Sequence, residues 1–287
     1  MARAISRTVH FYDHSSPDSS IGGLVLNPSF TQANFLTCLD ILIIAPATYE
    51  VRRRGSGQTV ARIDSRLEPG EYDIMCPEAI VANDEIFLQR TTSYHVTGRD
   101  ERFRRAVRDR DGKCVITGVV NRSAYRGDWS AFEAAHVFPL AFETWWLDNG
   151  YSRWITDIEE MGGGSGINSR QNGMLLKADV HKLFDNYLVA INPDDGYKVT
   201  SFDDDSLSLD GRVLDLCCRG NISGVRNQSL RWHFRQCVIA NMRGAGEPIF
   251  ENDFPPGTDM VREIVSGPRA GERMEFELFT RLVMTEN

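Results

Sequence analysis

Phe132-Glu133-Ala134-Ala135-His136-Val137-Phe138-Pro139 and, further on, Asn168-Ser169-Arg170-Gln171-Asn172-Gly173-Met174-Leu175-Leu176-Lys177-Ala178-Asp179-Val180-His181-Lys182-Leu183-Phe184-Asp185 decide how this chain folds. The first run reads as an apolar strand stopped by Pro139. Asn172-Gly173 reads as a turn, and the second run continues as a strand and then a helix. His181 and Asp185 stand at i and i+4, so they share one helix face and can reach one cation. His136 sits at the end of its strand, where a neutral imidazole can take a proton from water near physiological pH. Alternation puts Glu133 and Ala135 on one strand face and His136 on the other.

Outward from this unit, residues 8–95 read as β-rich. A hairpin is expected from Val9–Tyr12 and Ile21–Leu26, then a helix over 32–43 with Phe35, Leu36, Leu39 and Leu42 on one stripe. Strands are expected at 49–52 and 59–63, and 67–74 reads as a turn into another strand. That order resembles a β-grasp, ubiquitin-like module. Residues 98–111 predict an amphipathic helix with Phe103, Ala106 and Val107 inward, and 114–118 a short strand and turn. Two short helices broken at Asn149-Gly150 lie between 139 and 160, followed by a Gly-rich loop at 161–166. After a turn at Asn192–Gly196 and a strand at Tyr197–Val199, helices are expected at 230–242, 259–265 and 272–284. Phe276, Leu278, Phe279 and Leu282 are apolar positions for packing within the chain or between copies. The fold class is α+β in three parts: 1–97 β-rich, 98–200 around the strand–strand–helix unit, and 201–287 a helical C-terminal region.

The chain of 287 residues carries 32 Lys and Arg against 40 Asp and Glu, a net charge of −8. That balance argues against coating nucleic acid by bulk charge, because phosphate affinity rests on Lys and Arg. Locally, residues 99–113 hold seven basic residues against four acids, a segment of +3. The N-terminus lacks the apolar run of a secretory signal, and no stretch is long enough to span a bilayer. An intracellular protein, cytoplasmic or nuclear, is expected, with no membrane partner. The six cysteines form no Cys-x-x-Cys pair, so neither a zinc knuckle nor a disulfide framework is indicated.

The ordered set Cys114-x-x-Thr117-Gly118, Glu133-x-x-His136, Asn172-Gly173 and His181-x-x-x-Asp185 resembles the HNH nuclease ββα-metal motif, and in particular the fungal HNH endonuclease family of uncharacterised proteins. The resemblance runs over roughly 98–285. It implies His136 as general base, Asn172 as the residue that holds the loop and the base, and His181 with Asp185 as metal ligands. It also places Glu133 where some HNH enzymes keep an acid that orients a basic side chain. Arg170 and Lys177 flank Asn172 and are candidates, with Glu133, for contact with substrate. Ala135 stands where the motif commonly has a metal-binding Asp or His. Two protein ligands suit Mg²⁺ or Mn²⁺ better than Zn²⁺. The implied partner is DNA or RNA. Two other readings stay open: a small-molecule enzyme using His136 and His181 in a pocket lined by Trp129, Trp145, Trp146 and Trp154, and a non-catalytic binding module.

Overall fold

A computed structural model describes residues 6–88, 98–157 and 164–244. The helices expected at 259–265 and 272–284 lie outside those residues, as do residues 161–163 of the Gly-rich loop.

The first part is a four-stranded sheet with one helix. Strands β1 (Val9–Asp13) and β2 (Ser20–Leu24) form the expected hairpin. Helix α1 (Gln32–Leu42) follows. Thr31 caps it: its hydroxyl accepts from the Asn34 N–H, and the Asn34 side chain accepts from the Thr31 N–H. Phe35, Leu36, Cys38, Leu39 and Leu42 are buried on its inner face. Strands β3 (Ile43–Ile44) and β6 (Val81–Ala82) pair as a short ribbon. Strands β4 (Glu50–Arg53) and β5 (Gly70–Met75) complete the sheet in the order β2-β1-β5-β4. The central pair, β1 and β5, is parallel. The strand expected at 59–63 is absent. Thr59 makes an isolated bridge to Arg52, Val60 alone enters the core, and Ile63 is 49% exposed, so the segment does not alternate as a strand.

The second part is built on α2 (Gly98–Asp111), β7 (Phe132–His136), β8 (Gly173–Lys177) and α4 (Ala178–Asp185), with the short α3 (Glu143–Asp148) between the strands. Strands β7 and β8 are antiparallel and pair His136 with Gly173 and Phe132 with Lys177. Both α2 and α4 pack on this ribbon. The expected strand at 114–118 is instead a turn closed by a Lys113–Val120 bridge. Its apolar residues are buried because Val115 N–H donates to Leu175 O on β8. A hairpin of β9 (Val189–Asn192) and β10 (Lys198–Ser201) follows.

Helix α5 (Asn227–Met242) joins the two parts. It packs on β9, α1 and β2, and Phe234, Cys237, Val238, Ala240 and Met242 enter the core of the N-terminal sheet. Gly22 on β2 lies so close to Met242 O that a Cβ would strike that carbonyl. Burial of each large apolar side chain here stabilises by about 2 kcal/mol.

Candidate active site

The pairing of β7 with β8 sets the site, because it fixes which side chains face α2 and which face α4. The Phe103 ring, carried inward by α2, stacks on His136 at 3.8 Å and 10° between planes. It also explains Gly173. Its φ of −140° is extended, so the backbone does not demand glycine there. A Cβ at 173 would collide with Phe103 and Val107. The Asn-Gly turn expected at this point is instead a 3₁₀ turn over Arg170–Asn172 that feeds β8.

His136 Nε2 lies 2.9 Å from Asn168 Oδ1. An amide oxygen only accepts, so Nε2 is the donor in this contact. The Asn172 side chain serves the backbone. It is fully buried and clamps two backbone segments. Oδ1 accepts from Phe138 N–H (2.8 Å), while Nδ2 donates to Phe138 O and Ile167 O (3.0 Å each). Its carbonyl accepts from Val137 N–H (2.8 Å). The residue after His136 is thereby tied to the start of β8.

On the other face, α4 carries His181 to Glu133. Glu133 Oε2 lies 2.5 Å from His181 Nδ1, and Asp185 Oδ2 lies 3.1 Å from Nε2. Burial opposes a charged imidazole. Hydrogen bonds to Asp185 and Glu133 outweigh it and raise the His181 pKa to about 9. The hydrogen bond to His181 holds the Glu133 carboxyl below its usual range. Glu133, expected to face substrate, is thus engaged with the helix. The fold brings together Glu133, His181 and Asp185. His136 lies three residues along the strand from Glu133, about 10 Å, and on the opposite face.

The donors on the Nε2 side, one imidazole and one carboxylate, fit a divalent cation that keeps most of its waters. Asp179 is turned away, bonded to Lys177 Nζ (2.6 Å). The two expected substrate cations already face acids: Arg170 pairs with Asp157 at 2.7 Å and Lys177 with Asp179. Two of the tryptophans are packed against other side chains. Trp146 is fully buried and packs with Phe138, Tyr151 and Trp154, and Trp129 lies under the Arg108 guanidinium at 4.7 Å. A cavity of about 520 Å³ opens on the N-terminal sheet, lined by Leu36, Asp40, Tyr49 and Arg62 among others.

Behind the site, Arg110 and Asp111 form a buried pair at 2.6 Å. Arg110 also donates to Arg170 O, Gly173 O and Ser223 O, and Asp111 accepts from Leu175 N–H. The end of α2 is thus pinned to the start of β8. Asn168, Phe103 and this pair were not among the site residues read from sequence. Asn168 stood in the decisive run and Phe103 in the stripe of α2, but nothing in their spacing names His136 as their partner.

This strand–strand–helix unit, with one imidazole at a strand end and another on the helix, lies largely within a segment that resembles a known family. Residues 114–192 match the family model described as HNH endonuclease. Residues 6–81 match a Domain of unknown function (DUF8573). No curated protein and no solved structure matches the chain. Among the described residues no helix is long and apolar enough to cross a membrane.

Proposed function

We propose that this protein is a metal-dependent HNH-type endonuclease that hydrolyses phosphodiester bonds in DNA or RNA. The observation that carries the reading is the pair of imidazoles on one ββα unit: His136 fixed at a strand end by Asn168, and His181 set beside Asp185 on α4. His136 is the general base that takes the proton of the attacking water. Asn172 holds the chain on either side of it. His181 and Asp185 are the metal ligands, for Mg²⁺ or Mn²⁺ in preference to Zn²⁺. A bound cation would stabilise the charge that develops on the phosphate and the leaving oxygen.

Support for a nucleic-acid partner comes from α2 and the loop after it. Arg102, Arg105, Arg122 and Arg126 are exposed there, and Tyr125, 84% exposed, lies beside the Arg126 guanidinium. Such a surface supplies both phosphate contacts and a stacking face. Arg170 and Lys177 become available to phosphate only by leaving Asp157 and Asp179. The order β2-β1-β5-β4 with a parallel central pair and one helix supports a β-grasp-like reading of the N-terminal module.

Plasmid nicking in Mg²⁺, Mn²⁺ and Zn²⁺ tests the assignment. The wild type nicks with Mg²⁺ or Mn²⁺, and His136→Ala lowers the rate by roughly 100- to 10,000-fold. Equal rates in the two proteins overturn it.

A further inference from the structure

His181 is held from both sides, and the two sides are not equivalent. Asp185 reaches Nε2 from the same helix, whereas Glu133 reaches Nδ1 from β7, 48 residues earlier in the chain. An imidazole that ligates a cation uses one nitrogen for the ion, and its other N–H needs an acceptor that fixes the ring. Ala135 shares the strand face of Glu133 and is fully buried. Its methyl group offers nothing to His181.

We propose that Glu133 is the positioning residue of this centre. Its carboxylate accepts the Nδ1–H of His181, leaves the lone pair on Nε2, and directs that lone pair to the cation shared with Asp185. This rests on the metal reading above and adds a residue to it. In this chain a carboxylate two positions earlier on the strand supports the helix ligand, although position 135 provides no ligand.

The test is calorimetric titration of the full chain with Mn²⁺, without nucleic acid, for wild type, Glu133→Ala, Glu133→Gln and Asp185→Asn. Glu133→Ala weakens Mn²⁺ binding by roughly 10- to 100-fold. Glu133→Gln, which keeps an oxygen acceptor, weakens it less, and Asp185→Asn weakens it most. Glu133 is half exposed at its side chain (51%), so melting curves of the metal-free variants should match the wild type. Were Glu133→Ala to melt early, Glu133→Gln would decide by the same titration. Nitrogen-15 spectra with Zn²⁺ as a diamagnetic probe should show Nδ1 protonated and Nε2 shifted. Wild-type affinity in Glu133→Ala, or a shift at Nδ1 that makes Glu133 a direct ligand, overturns this proposal alone. A wild type that binds neither ion overturns the metal reading with it.

Discussion

Asn168 and Asn172 lie one turn apart in the chain and have different partners. Asn172 satisfies three backbone groups in a site closed to water, and Asn172→Ala leaves them without a partner. A loss of about 3 kcal/mol in chemical denaturation is expected. Asn168 is half-buried and bonds the His136 ring. Asn168→Ala should leave the denaturation midpoint close to wild type and slow cleavage by at least roughly tenfold, part of what a placed base contributes. A large stability loss in Asn168→Ala with unchanged cleavage per folded molecule would contradict that division. The sequence motif pointed to Asn172 as the holder of the base. The amide on the ring is four residues earlier, since the 3₁₀ turn at 170–172 carries the Asn172 side chain back toward Phe138.

At the scale of elements, α2 and α4 were legible because burial on one side leaves a helical period in the residues, and β7 and β8 because short apolar runs stand between turn signals. The misread elements show where that signal fails. Residues 114–118 look like a core strand because Cys114, Val115 and Ile116 are all buried, but they are buried as a turn under β8. Residues 59–63 carry apolar residues that mostly remain outside. Contacts between elements were not legible at all, and two of them carry predictions. Removing the Asp111 carboxylate leaves Arg110 buried and uncompensated, so Asp111→Ala should destabilise by about 3–5 kcal/mol in denaturant titration. Gly173→Ala places a methyl group against Phe103 and should cost about 1–3 kcal/mol by the same measurement. A midpoint unchanged in Gly173→Ala would mean that α2 does not press on the ribbon as described.

For the whole molecule, an acidic chain presents a basic helix beside the strand–strand–helix unit. The net charge of −8 sets nonspecific attraction low, so affinity for nucleic acid must come from a few local contacts. Binding should weaken linearly in log salt, and each arginine removed that contacts a phosphate, Arg102 or Arg105 to Ala, should flatten the slope by about one unit. A slope unchanged in both variants would place the nucleic acid elsewhere. The sequence shows the local excess of basic residues over 99–113 but not which of them face out; that follows when α2 turns Phe103 and Val107 inward, buries Arg110 and leaves Arg102 and Arg105 exposed. The account depends most on α4 holding a cation. A crystal structure of the wild type grown with Mn²⁺, read by anomalous scattering, tests this directly. The predicted result is a peak bonded to His181 Nε2 and Asp185, with Glu133 still on Nδ1. An Mn²⁺-saturated crystal with no peak at His181, its ring still held between the two carboxylates, would contradict the account.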